Sequence, residues 1–135
     1  ILILEIMMNI FKLEIKNSIT STNNTLAIIK NEKRFIFFSK LELTSILNLY
    51  SKQVSRGHWR DYALDSKIDN AIFSIYRHSH DKPMYQIIKN SQKKFRNNPS
   101  FYIKKGEEII GKNKNLFTIL SNFEKKLSIK KLRNH

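Results

Sequence analysis

The sequence predicts an α+β fold: an antiparallel sheet, built as a meander of hairpins, covered by two amphipathic helices. Three observations carry that prediction. Two stretches repeat apolar residues at helical spacing on a single stripe. Several short runs rich in Ile, Phe and Tyr are separated by brief polar turns, as in hairpin-connected strands. A helix with one apolar stripe also needs a sheet or helix face to cover it. At 135 residues there is room for one such domain and little more. Nine Phe, five Tyr and one Trp supply a core that a disordered chain would lack.

Along the chain, Met7-Met8 reads as a natural start, so residues 1–6 are expected to be an upstream addition, or else the chain begins at an unusual start codon. Residues 1–24 are expected as an extension or edge strand, 25–128 as the α+β domain and 129–135 as a frayed basic tail. Phe11–Lys16 alternates apolar and charged residues, the period-two mark of a half-buried strand. Leu26–Ile29 and Phe35–Phe38 flank a polar turn and read as a hairpin. Ser39-Lys40-Leu41-Glu42 then has the form of a capping box, in which each side chain satisfies an orphan backbone N–H. Leu43, Ile46, Leu47, Tyr50 and Val54 follow on one helical stripe, and Gly57 supplies the stop.

Residues 58–69 are polar around an aromatic anchor and are expected as a turn or short helix. Ala71–Tyr76 and Met84–Ile88 read as neighbouring strands joined through Pro83. After a basic loop at 90–99, Phe101–Lys104 and Glu108–Ile110 form a tight hairpin around Gly106. Leu116, Ile119, Leu120, Phe123 and Leu127 make the second helix, with Asn115 as its cap.

Charge is the strongest functional signal. The chain holds 25 Lys+Arg against 11 Asp+Glu, and the excess is uneven. Residues 82–135 carry 14 basic and 3 acidic side chains, whereas residues 1–81 carry 11 and 8. Such a field favours polyanions, either nucleic acid or an anionic surface. Codon bias toward A and T also enriches Lys, Asn and Ile, but it would raise acids too, and in the C-terminal part it has not. The chain has no cysteine, which excludes disulfides and thiol chemistry. No run reaches the ~18–20 apolar residues of a membrane span. Ile1–Leu4 is too short for a signal peptide's apolar region, so a cytoplasmic location is expected.

Two constellations are candidate sites. The first is Trp59-Arg60-Asp61-Tyr62-Ala63-Leu64-Asp65, with the only Trp in the chain. Here Trp59, Arg60, Asp61, Tyr62 and Asp65 can dock a protein partner. Alternatively, Trp59 plugs the seam between sheet and helix while Arg60 pairs with Asp61 or Asp65. The second is the set Lys89, Lys93, Lys94, Arg96, Lys104, Lys105, Lys112 and Lys114, interleaved with Tyr102, Phe95 and Phe101. Lysines beside exposed aromatics hold phosphates and stack bases of RNA or single strands.

The first constellation also carries a family resemblance. Phe37-Phe38, Glu42-Leu43, Ile46-Leu47, Tyr50 and Val54 lead into Gly57-x-Trp59-Arg60-Asp61-Tyr62-Ala63-x-Asp65. Ala71-x-Phe73-Ser74-x-x-Arg77 and Pro83-x-Tyr85-x-Ile87-x-Lys89 follow. Over roughly residues 35–127 this resembles an uncharacterised family of short alphaproteobacterial proteins, a domain of unknown function. The resemblance implies a cytoplasmic bacterial protein and supplies no activity.

Enzymatic chemistry finds little support. His78 and His80 share a strand face, but a metal site needs a third ligand that only Asp81 or His58 offers. Asp61, Asp65 and Asp69 with Lys89 lack the acid–lysine spacing of a magnesium-dependent nuclease. There is no Gly-rich phosphate loop and no G-x-S-x-G. The expectation is a binding protein without cofactor or catalytic residues. Its partner is nucleic acid, held through phosphates, or alternatively a protein docked near Trp59–Asp65.

Overall fold

The computed structural model describes residues 35–78, 82–92 and 98–133, all within the compact unit Phe35–His135. The strands expected at 11–16 and 26–29 lie outside the described residues. The described part runs α1 (Lys40–Ser55), β1 (Asp61–Ser66), β2 (Asn70–Tyr76), β3 (Tyr85–Asn90), β4 (Ser100–Lys105), β5 (Glu108–Asn113) and α2 (Leu116–Arg133). The strands form one antiparallel sheet in the order β1-β2-β3-β4-β5, a pure meander. It is an α+β fold, as the hairpin spacing and the two stripes predict.

Local chemistry sets the helix ends. Ser39 caps α1: its hydroxyl accepts from Glu42 N–H at 3.2 Å, and Glu42 Oε1 accepts from Ser39 N–H at 2.7 Å. At the other end Gly57 takes φ 77°, a backbone conformation that side chains disfavour. Its N–H donates to Val54 O, and His58 N–H donates to Gln53 O, both at 2.9 Å. These two bonds satisfy orphan carbonyls as a Schellman motif. Asn115 caps α2 by accepting from Phe117 and Thr118 N–H.

Pairing defines two sheet faces. One carries the row Leu64–Phe73–Ile87–Ile103–Gly111, from β1 across to β5. Both helices cover this face. Phe73, Ile75 and Ile87 are fully buried on it, beside Ile46 and Leu47 of α1 and Ile119 and Phe123 of α2. Gly111 matters here, because Ile119 of α2 would stand only 3.4 Å from a Cβ added at that position. The opposite face carries the row Asp65–Ile72–Ile88–Tyr102–Lys112, and no described helix or strand lies on it. At its centre Ser74 and Ile88 are buried.

Four expectations are corrected. Phe35–Phe38 is not a strand; its one backbone bond toward the sheet region is Ile36 N–H to Lys67 O at 2.8 Å, and one bond makes no ladder. Residues 61–66 are a strand, not a turn or short helix. Asp61 and Asp65 lie on one side of this edge strand, where charge protects against further pairing. Val54 is 39% exposed, while Gln53 is buried at 1% and takes the inward place in the last turn of α1. Finally, residues 129–133 continue α2 rather than fraying. The segment has no Gly or Pro to stop it, and Lys and Leu propagate a helix well. No described helix is long and apolar enough to cross a membrane.

Candidate nucleic-acid interface

The tryptophan string resolves first, and it resolves into the core. Trp59 is 2% exposed. Its ring lies near-parallel to Phe123 at 6.0 Å between centroids, with Tyr85 at 6.0 Å and Tyr50 at 6.1 Å. Tyr62 stacks on Phe73 at 5.0 Å and meets Tyr50 edge-on at 5.1 Å. The aromatic cluster thus joins α1, β1, β2, β3 and α2. Its interior pushes the Tyr50 hydroxyl up to about 12, chiefly by burial, then by the Asp61 carboxylate and Tyr62. The expectation that Trp59 docks a partner is corrected accordingly, because an enclosed ring offers no surface. Arg60, Asp61 and Asp65 are exposed, and neither acid forms an ion pair with Arg60 among the described residues. Asp61 Oδ1 instead accepts from the Tyr62 N–H at 2.9 Å.

The lysines divide into three groups. Lys89 lies on the helix-covered face. Its Nζ donates to Glu42 Oε1 at 2.7 Å and to Phe37 O at 3.0 Å, and both charged side chains are largely buried. That ammonium is neutralised and tied down, so its expected phosphate contact is corrected to a structural one. It fastens the start of α1 to β3. Lys105 ends β4 beside Lys130 of α2, whose ammonium is held below its ordinary range by a hydrogen bond with the Lys105 side chain and by its charge. Lys93, Lys94, Phe95 and Arg96 lie outside the described residues.

The third group is what the fold assembles. Tyr102 and Lys112 are direct cross-strand partners on the face opposite the helices. Lys104 lies on that face one pair along, and Lys114 follows directly after β5. Tyr102 is half-buried, while Lys112 and Lys114 are exposed. Lys104 meets Glu107 at 3.7 Å, a loose pair since Glu107 is fully exposed. No acid pairs with Lys112 or Lys114 among the described residues. An aromatic ring with three ammonium groups on one sheet edge can stack a base and hold neighbouring phosphates.

Sequence reasoning missed two features of this region. A polar groove of about 540 Å³ opens at the β3–β5 end of the sheet, with Lys112 and Lys114 in its wall. A smaller cavity of about 310 Å³ lies between β5 and α2. Ile103, Ile119 and Phe123 line it, and Lys126 is tied nearby to Ile110 O at 2.7 Å. The polar groups of the groove come from separate stretches of chain, around 90, 100 and 113, so no local motif announces it. The acids singled out for nuclease chemistry do not converge with a lysine: Asp61 and Asp65 sit on the face opposite Lys89, which Glu42 already holds. Among the described residues no group of three or more potential ligands can hold a metal ion.

Fold and site together define a small α+β domain with a packed aromatic seam on one side of its sheet and a cationic, aromatic-bearing edge on the other. The chain belongs to the family described as protein of unknown function DUF2794, whose model matches residues 36–120. The match takes in α1, all five strands and the first turn of α2. Lys104, Lys112 and Lys114 therefore fall inside the family region, and Lys125, Lys126 and Lys130 fall beyond it. No curated protein and no solved structure matches the chain.

Proposed function

We propose that this protein binds single-stranded nucleic acid, RNA above all, through the β4–β5 edge. Lys104, Lys112 and Lys114 contact phosphates, and Tyr102 stacks on a base. The reading assigns binding and no catalysis, in a cytoplasmic setting. The observation that carries it is the Tyr102–Lys112 cross-strand pair, flanked by Lys104, which is only loosely paired with Glu107 at 3.7 Å, and by Lys114, which pairs with no acid among the described residues. Cross-strand partners stand ~5 Å apart, close enough for a stacked base and its own phosphate to meet both.

The strongly basic C-terminal part supports this reading, since its 14 basic groups face only 3 acids. Docking of a protein at Trp59 is the weaker reading, because the ring serves the core. The test is binding of a fluorescent RNA dodecamer across a salt series. Each phosphate-binding lysine removed should flatten the slope of log affinity against log salt by roughly 0.7. Lys104→Glu, Lys112→Glu and Lys114→Glu together should abolish binding at moderate salt. Intact binding in that variant would overturn the proposal.

A further inference from the structure

The β3–β5 groove holds more hydrogen-bonding capacity than the fold uses. Its wall includes the side-chain amides of Asn90, Gln92 and Asn98 and the hydroxyl of Ser100. Among the described residues none of these four side chains has a hydrogen-bond partner or an ion pair. The fourth amide, Asn113, is committed, since its Oδ1 accepts from Asn115 N–H at 2.8 Å.

Register puts the polar groups in order. Asn70, Asn90 and Ser100 form one row across β2, β3 and β4 on the face that bears Tyr102. Asn70 Oδ1 and the hydroxyl of Ser91, which follows Asn90, are buried and have no partner among the described residues. Those two buried atoms are the unusual ones, because buried polar groups ordinarily find a bond, whereas the amides of Gln92 and Asn98 are exposed and stand available to a ligand. Tyr102 lies two residues beyond Ser100 on the same face and opposite Lys112, which itself belongs to the groove wall. The groove is therefore continuous with the phosphate-contacting edge.

We infer that this groove is a base-reading pocket, in which a nucleotide next to the one stacked on Tyr102 inserts its base edge between Gln92 and Asn98. Lys112 and Lys114 hold its phosphate. The inference rests on the nucleic-acid reading above and adds selectivity to it. A volume of about 540 Å³ lies within the range of small-ligand pockets and leaves room for one nucleotide. The wall chemistry selects the base. Uncharged amides that donate and accept side by side match adenine, whose amino group donates while the adjoining ring nitrogen accepts.

Binding of A12, U12 and C12 RNA to the full chain, at one salt concentration and across a salt series, tests this. The wild type should prefer A12 by about tenfold. Gln92→Ala with Asn98→Ala should bring A12 down to the affinity of U12 while leaving the salt slope unchanged. Both residues are exposed, so loss of fold does not confuse the result, and an unchanged circular dichroism spectrum checks it. Equal wild-type affinity for the three oligomers overturns the pocket alone. So does a preference for A12 that survives the double substitution. If no oligomer binds, the pocket and the broader nucleic-acid reading fall together.

Discussion

The two most distinctive stretches of the sequence meet opposite fates in the fold. The Trp59–Asp65 string holds the rarest residue in the chain and turns its aromatic rings inward, where Trp59 is enclosed by Phe123, Tyr85 and Tyr50. The lysine-rich 100–114 stretch instead brings Tyr102, Lys104, Lys112 and Lys114 together at the β4–β5 edge, with Lys112 and Lys114 exposed. A conspicuous motif at a strand start can thus serve packing, because a large aromatic ring contributes most where it displaces most water. The proposed binding role falls instead to groups whose burial would cost too much. The contrast also runs within the lysines, since Lys89 is held by Glu42 while Lys112 pairs with no acid among the described residues.

That contrast can be broken at either side. Trp59→Ala should have the largest effect, a loss of about 4 kcal/mol in urea unfolding from the cavity left inside the aromatic cluster. RNA affinity of whatever remains folded should be unchanged; a selective loss would return Trp59 to the functional side. Lys89→Met should come next, at about 3 kcal/mol, because it strands the Glu42 carboxylate at the start of α1. It too should leave RNA binding alone, whereas a drop as large as that of Lys112→Glu would show Lys89 to be a phosphate ligand. Lys112→Glu should leave unfolding stability within about 0.5 kcal/mol of wild type and weaken RNA binding markedly.

A further effect is confined to alkaline pH. Tyr50 stays protonated in the fold to about pH 12, against an ordinary value of 10.0. Its contribution to stability is therefore full below pH 10 and is lost as pH rises from 10 to 12. Tyr50→Phe should lose less stability than wild type over that window in paired urea titrations. Parallel pH curves for the two proteins would show that Tyr50 does not couple to folding.

Much of this was legible in the sequence, for reasons that are local. The capping box at Ser39–Glu42 and the stop at Gly57 depend on bonds between residues three to five apart, so α1 announces both its ends. The hairpin around Gly106 follows from one glycine at φ 60° between two apolar runs. The strand β1 was not legible, because its alternation carries acids and Ala, which favour strands poorly unless an edge exposes them. Nor was the neutralisation of Lys89, whose partner lies 47 residues away.

By itself the sequence determined the fold class, both helix starts and a charge excess in its final third. These follow from spacing, capping and composition, which act over a few residues or over none. Only the tertiary structure decided that Trp59 is core, that Lys89 is spent on Glu42, and that Tyr102, Lys112 and the groove amides share one end of the sheet. Those outcomes depend on register between strands distant in sequence. A shift of one residue there would send each side chain to the opposite face.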